Sequence, residues 1–300
     1  MHIRYGYRID ILCEAPTLLI TMLDIHPTLR SDITRSDNMV ARSIRHVRTK
    51  IPHDEFLDPF GNRCRRLTMP AGGVILKARG IIHHSGFPEE RNPDAQALPR
   101  AALPAAIRPF LGSSRYCETE ALAETARTWF GGIDGGWARV TAICERVHQH
   151  LRFHAGLTNQ PQGASAVYTS QMAGSCDFAH LAIAFCRCLD IPARFCRGHL
   201  PDIGVDPVEG DQNTGSWFEA YLGDRWWTFD ARHSTPRIGY ILIARGRDAN
   251  DTPALQAKGP YRTRLFRMVS EEVGGARYPM SSARRREHSA RHGLFAEGKR

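Results

Sequence analysis

The sequence contains no apolar run long enough to cross a membrane or to serve as a secretion signal. Charged side chains interrupt its first residues, MHIRYGYRIDILCEAP, and the apolar stretch that overlaps them contains Glu14 and Pro16. The eight cysteines stand at irregular spacings, which is typical of reduced thiols rather than of a disulfide framework. The sequence therefore predicts a cytoplasmic protein with no membrane segment.

Signals for cofactors and metals are also missing. The sequence has no glycine-rich loop of the phosphate-binding or dinucleotide-binding type. Cys186, Cys188 and Cys196 lie close together in the chain. Zinc sites usually have a second closely spaced pair of ligands, and the sequence has none here. We therefore expect neither a cofactor nor a bound metal.

Positive charge is abundant, but much of it is concentrated at one end of the chain. The formal net charge is +9, and residues 277–300 contribute seven lysines and arginines against two acids. Residues 273–300 lack apolar periodicity, so we expect a basic, disordered tail. Aromatic residues do not alternate with these basic residues as they do in single-strand binding surfaces. Nucleic acid is therefore an unlikely partner on sequence grounds.

The first 95 residues have the pattern of a β-sandwich-like domain. From Ile3 to Ile11 apolar and polar residues alternate, which is typical of a strand with one buried face. Turn-forming pairs such as Gly72-Gly73 separate further strand-like runs, and no helical period appears. A segment rich in proline and alanine, 89–109, then links this domain to the rest of the chain.

Residues 115–260 have the pattern of an α+β core. Apolar residues recur at helical spacing in GWARVTAICERVHQHLRF and again in SCDFAHLAIAFCRCL. The runs SWFEAYL and RWWTF, joined by Gly223-Asp224, predict a β-hairpin. The whole chain is therefore predicted to be α+β, with a β-sandwich-like domain before a core of one central helix and antiparallel strands.

Cys176 stands in the first turn of that central helix, whereas Cys186 and Cys188 stand in its last turns. Unpaired backbone N–H groups and the helix dipole stabilise a thiolate only at the start of a helix. Among these three cysteines, Cys176 is therefore the candidate nucleophile.

The segments GSCDFAHLAIAFCRCLDIPAR, SWFEAYLGDRWWTFDARH and PRIGYILIARGRDANDTP resemble the bacterial transglutaminase-like family. RYGYRIDILCEAPTLLITMLDIHP resembles the β-rich region that often precedes its catalytic domain. The resemblance implies a papain-like core with a Cys-His-Asp site, in which Cys176 is the nucleophile and Asp230 orients the histidine. The family motif, Gly-Val-Cys-Arg-Asp-Phe-Ala, is one residue longer than the motif here. Alignment without a gap therefore puts Ser175 at the nucleophile position instead.

The family's histidine position, two residues before the first tryptophan of the hairpin, holds Gly215. Two other histidines are candidates for its role. His233 follows Asp230 by three residues and reaches the site only if the chain turns sharply after the strand. His180 lies one helical turn after Cys176, and helical side chains lean toward the helix start.

These features predict a transglutaminase-like cysteine acyltransferase or hydrolase that acts on amide bonds of peptides or proteins through a thioester. Cys176 attacks the carbonyl, His233 or His180 transfers protons, and Asp230 orients the imidazole. The missing histidine and the shortened motif favour an alternative, a catalytically impaired relative that binds peptides or partner proteins in the same cleft. The sequence leaves open the substrate, the acyl acceptor and the oligomeric state.

Overall fold

The computed structural model describes residues 1–46, 49–158, 160–205, 214–233 and 235–274. The predicted basic tail therefore lies almost wholly outside the described residues. The strands are β1 (His2–Leu12), β2 (Thr17–Thr21), β3 (Ile33–Ser43), β4 (Asp54–Leu57), β5 (Arg63–Met69), β6 (Val74–His83), β7 (Arg152–Phe153), β8 (Met172–Ala173), β9 (Ala193–His199), β10 (Thr214–Leu222), β11 (Arg225–Phe229), β12 (Ile241–Gly246), β13 (Leu255–Lys258) and β14 (Arg262–Glu272). The helices are α1 (Ala123–Phe130), α2 (Gly136–His150), α3 (Ala164–Ser170) and α4 (Ser175–Cys188). The predicted α+β class is confirmed.

Two four-stranded antiparallel sheets form the β-rich unit, in the strand orders β14-β1-β6-β3 and β13-β2-β5-β4. The alternation along β1 buries Ile3, Ile9 and Ile11, which pack in one cluster with Leu19 of β2 and Leu67 of β5. The two sheets therefore share one apolar core, which is the arrangement of a sandwich.

Strands from the far end of the chain complete this unit. β14 pairs with β1 over ten residues, and β13 pairs with β2 over four. The predicted core limit at residue 260 falls between these two strands. The chain thus begins in the sandwich, builds the α+β core, and returns to the sandwich.

The α+β core packs helices on one antiparallel sheet of order β11-β10-β9-β12. Helix α4 lies across this sheet and contacts α1, α2 and α3. The spacing of apolar residues along α4 predicts its buried stripe, and Phe178, Leu181, Ala182 and Phe185 are all buried. Gly223, with φ of +64°, makes the tight turn between β10 and β11.

The end of α4 is fixed by a buried cation. The guanidinium of Arg187 donates to the carbonyl oxygens of Ala193, Gly112 and Arg247 and to the hydroxyl of Ser114. Arg187 is only 3% exposed, so these groups replace its water. One side chain therefore ties the helix end to three other segments of the chain.

We expect Arg187→Met to lower the free energy of unfolding by about 3 kcal/mol, because several buried carbonyl groups would lose their donor. Urea denaturation measures this change. The matched control is Arg127→Met on α1, where the arginine is exposed and substitution should cost less than about 0.5 kcal/mol. Equal midpoints for the two variants would show that the buried guanidinium is not an anchor.

Candidate active site

Cys176 is the second residue of α4, so the helix begins where the sequence predicts. The carboxylate of Asp177 closes this helix start: it accepts from the backbone N–H of Gly174 at 2.8 Å and from that of Gln162 at 3.0 Å. Asp177 is fully buried. The position of the Cys176 backbone is therefore set by a charged hydrogen-bond acceptor one residue away.

The Cys176 thiol is half-buried and lies beside the sheet. Its Sγ is 3.3 Å from Oγ of Ser216 on β10. Burial raises the pKa of this thiol, the nearby charge of Asp177 adds to the rise, and the Ser216 hydrogen bond, Arg197 and Arg232 only partly oppose it. The resting form at neutral pH is therefore the protonated thiol, and attack on a carbonyl needs a base.

Asp230 follows β11 directly, and its carboxylate accepts four hydrogen bonds. Oδ1 accepts from the backbone N–H groups of Arg232, at 2.8 Å, and His233, at 3.2 Å. Oδ2 accepts from Nδ1 of His233 and from the hydroxyl of Tyr240, each at 2.8 Å. Burial alone would raise the pKa of Asp230, but the charge and hydrogen bond of His233 lower it overall, together with the hydrogen bonds from the Tyr240 hydroxyl and the Arg232 backbone.

Two of these contacts, those from the backbone, create the sharp turn that His233 needs in order to reach Asp230. Because two backbone N–H groups after the strand point at one carboxylate oxygen, the chain folds back and brings the imidazole onto its own aspartate. The other ring nitrogen, Nε2, is buried and has no hydrogen-bond partner within the described part of the chain.

His233 lines a cleft of about 560 Å³ at the edge of the core sheet. Helix α2 forms one wall, and residues from the segments 88–91, 228–233 and 235–240 form the others. Polar and thiol groups in its lining include Cys144, Glu145, His148, Asp230, His233 and Tyr240. Asp230 and His233 thus line this cleft, whereas Cys176 is not among the described residues that line it.

Arg232 connects this turn to the start of α4. Its Nη1 donates to Oγ of Ser175 at 3.3 Å, and its guanidinium lies 4.0 Å from the ring centre of Phe153. Ser175 is buried against this cation, whereas the Cys176 thiol is half-exposed. Of the two residues that alignment leaves open for the nucleophile, Cys176 thus has the more accessible side chain.

His180 occupies the interior of the core. Its ring is fully buried, its Nε2 accepts from the backbone N–H of Ala249 at 3.2 Å, and it stacks on Tyr116 with ring centres 5.2 Å apart. Its Nδ1 lies 3.8 Å from an oxygen of Asp177. The imidazole therefore packs beneath α4, and its contacts are those of a structural residue.

Gly215 has no room for the family's histidine. A Cβ at this position would lie 2.7 Å from Cβ of Leu200, so a larger side chain must displace that residue. Ser216 faces α4 instead, together with Phe218 and Ala220, because alternate strand residues share one side of a sheet. Across the described residues, no hydrogen bond joins the Cys176 sulfur to a histidine.

Sequence reasoning missed Ser216, Tyr240 and Cys144 as residues of the site. The two-residue period of β10 could have indicated Ser216 once the side facing α4 was known. Tyr240 is ten residues from the carboxylate that it contacts, and no local pattern predicts such a contact. Cys144 of α2 is half-buried, packs against the apolar core and also lines the cleft.

Within the described ranges, no cluster of three or more histidine, cysteine, aspartate or glutamate side chains has the spacing to hold a metal ion. The helices in the same ranges include none that is long and apolar enough to span a membrane. All eight cysteines are free thiols.

Residues 123–231 match the family model described as the transglutaminase-like superfamily. A crystal structure of a protein from Cytophaga hutchinsonii, provisionally named a cysteine protease, is similar over 93% of both chains, with 25% sequence identity and a TM-score of 0.74. An uncharacterized protein of Mycobacterium leprae is 34% identical over 131 residues, which cover 42% of this chain and 45% of that protein. An uncharacterized protein of Mycobacterium tuberculosis is 27% identical over 123 residues, 38% of this chain and 39% of that protein.

The chain thus spans less than half the length of these two mycobacterial relatives. Its segment 123–231 forms a transglutaminase-like domain, and the family predicted from the sequence is confirmed. This domain contains the start of α4, the hairpin and Asp230.

Asp230→Asn should destabilise the protein by about 2 kcal/mol at neutral pH, because an amide cannot accept all four donors as a carboxylate does. The pKa of Asp230 is lower in the folded protein than its ordinary value of 3.8. Its contribution is therefore complete above that value and disappears as the pH falls through the lower folded pKa. Urea midpoints should differ most above about pH 5 and converge as the pH falls through the lowered folded pKa.

The control for this experiment is Asp134→Asn, which changes an exposed carboxylate. It should leave the midpoint nearly unchanged at every pH. A gap between wild type and Asp230→Asn that stays constant down to the lowest pH would contradict the low pKa of this carboxyl group.

Proposed function

We propose that this protein is a thiol-dependent acyltransferase or hydrolase that acts on amide bonds of peptides or proteins, with Cys176 as nucleophile, His233 as base and Asp230 as the residue that orients the imidazole. The observation that carries the proposal is the hydrogen bond of 2.8 Å between Asp230 and Nδ1 of His233, which leaves Nε2 unpaired within the described residues. A buried carboxylate held in this way fixes the ring and stabilises its protonated form.

The proposed reaction proceeds in two steps. In the first, His233 takes the thiol proton, the sulfur of Cys176 forms a bond to the amide carbonyl carbon, and the C–N bond breaks. The imidazolium then returns the proton to the leaving amine. In the second, water or another amine attacks the thioester and releases the thiol. In this scheme, backbone N–H groups at the start of α4 stabilise the oxyanion.

Proton transfer is the demanding part of this scheme. Burial raises the pKa of Cys176, so the thiol does not ionise unaided at neutral pH. In the resting structure its sulfur faces Ser216 rather than an imidazole. The proposal therefore requires Nε2 of His233 to accept the proton directly or through one bridging water once substrate is bound.

The same resting contact favours a second candidate function. If the thiol stays paired with Ser216, its one hydrogen-bond partner among the described residues, the protein would bind a peptide in its cleft without cleaving it. Both candidate functions involve peptide binding in the same cleft, so a binding measurement does not distinguish them. An acyl adduct on the Cys176 sulfur is expected only for the enzyme.

We also propose the cytoplasm as the compartment of this protein. Eight free thiols, several of them with close neighbours in sequence such as Cys186 and Cys188, are compatible with a reducing environment.

Intact-protein mass spectrometry tests the nucleophile. After incubation with an activated acyl peptide, wild type and Cys144→Ala should gain the mass of one acyl group, and Cys176→Ala should not. Cys144 is the matched control because it is also a half-buried thiol and lies in the cleft beside His233. Hydroxylamine should remove the adduct, since it cleaves thioesters. Peptide binding without any adduct on wild type would establish the second candidate function.

The base is tested by the rate at which this adduct forms. We expect His233→Gln to slow it by about 10²- to 10⁴-fold, because a general base contributes a factor of that size. His180→Gln should keep the rate of the folded protein but lower the melting temperature, since it loses a buried contact to Ala249. His154→Gln, at an exposed position, should change neither. An unchanged rate in His233→Gln would remove this residue from the mechanism.

A further inference from the structure

The outer face of the sheet β14-β1-β6-β3 carries a groove whose charged lining residues are mainly cations. The groove has a volume of about 820 Å³. Its charged lining consists of six arginines and one lysine against a single acid, Glu271. The seven cations are Arg4, Arg8, Arg35, Arg42, Lys77, Arg79 and Arg267.

Strand pairing explains why these side chains share one face. Arg8 stands directly opposite Arg267 on one neighbouring strand and opposite Lys77 on the other. The next position along β1 on this face is Gly6, which pairs with Arg79. Gly6 has no side chain, and a Cβ there would lie 2.5 Å from a backbone oxygen of Ala78. The row of cations therefore borders a depression in the sheet surface.

Like charges placed directly opposite each other destabilise a sheet. Two arginines have partners, since Arg4 contacts Glu271 at 2.6 Å and Arg8 contacts Asp10 at 3.1 Å. Lys77, Arg79 and Arg267 are exposed, and the described residues provide no ion pair for them. The groove thus retains positive charge that the described part of the protein does not neutralise, and a bound anion would relieve the repulsion.

The chemistry of the face favours carboxylates over nucleic-acid bases. The tyrosines of β1, Tyr5 and Tyr7, are buried in the sandwich core, so they offer no stacking surface to bases. The arginines at positions 4 and 8 already bind carboxylates, and Arg8 does so through two nitrogens. Val40 and Val269 line the same groove and can contact the aliphatic parts of a peptide.

We propose that this groove is a binding site for acidic polypeptide segments, rich in aspartate and glutamate, which lie across the four strands. The width of four strands is about 14 Å, enough for roughly four residues of an extended chain. The site lies on the sandwich and does not use the thiol, so its occupancy is independent of the proposed acyl transfer.

Fluorescence anisotropy with a labelled peptide of alternating glutamate and alanine tests this site. All measurements use the Cys176→Ala protein, which lacks the proposed nucleophile. The binding result therefore does not depend on whether the proposed acyl transfer occurs. We expect the double variant Arg79→Ala/Arg267→Ala to bind the peptide about tenfold more weakly, as expected when two charge-assisted contacts of about 0.7 kcal/mol each are lost. Added salt should weaken binding by the parent protein.

The matched control is Arg262→Ala/Arg264→Ala, which removes two exposed arginines of β14 that do not line the groove. It should keep the parent affinity, and a peptide with glutamine in place of glutamate should not bind. Equal affinities for the two double variants would overturn the proposal. Tighter binding of a single-stranded oligonucleotide than of the acidic peptide would overturn the assignment of the ligand.

Discussion

The carboxylate of Asp230 is the constraint on which the candidate site depends. It stands at the end of β11 and accepts hydrogen bonds from two backbone groups, one imidazole and one phenol. These donors come from the turn and from the residue just before β12, so one buried charge fixes both the direction of the chain and the orientation of His233. Burial makes the constraint strong, because a buried carboxylate is stable only when its lone pairs are used.

The parts that the sequence predicted are those governed by local periodicity. The apolar spacing of α4 placed its start at Cys176 and its buried face on Phe178 and Phe185. The alternation along β1 gave the inward face of a sandwich strand. In both elements, the burial of a residue follows from the pattern of its near neighbours along the helix or strand. A single segment of sequence is therefore enough to predict the buried face.

The parts that the sequence did not predict depend on contacts between distant segments. β14 returns to pair with β1 although about 250 residues lie between the two strands, and no period in either strand encodes that pairing. The residue of β10 that faces the thiol is Ser216, whereas Gly215 faces the other side of the sheet. Neighbouring residues of a strand point to opposite sides, so an error of one position exchanges the two faces. The cationic groove likewise appears only when four strands from both ends of the chain are aligned.

The site combines a thiol that resists ionisation with a carboxylate that resists protonation. Burial raises the pKa of Cys176, and the donors around Asp230 lower the pKa of that carboxyl group. The two shifts act in opposite directions on a proton that leaves the sulfur. The raised thiol pKa opposes its departure, whereas the charged aspartate stabilises the imidazolium that would receive it. In the proposed reaction the cost of ionising a buried thiol is therefore offset by an ion pair that forms next to an existing charge. In the proposed reaction the raised pKa keeps the resting thiol of Cys176 protonated, so the sulfur becomes a strong nucleophile only when His233 accepts its proton.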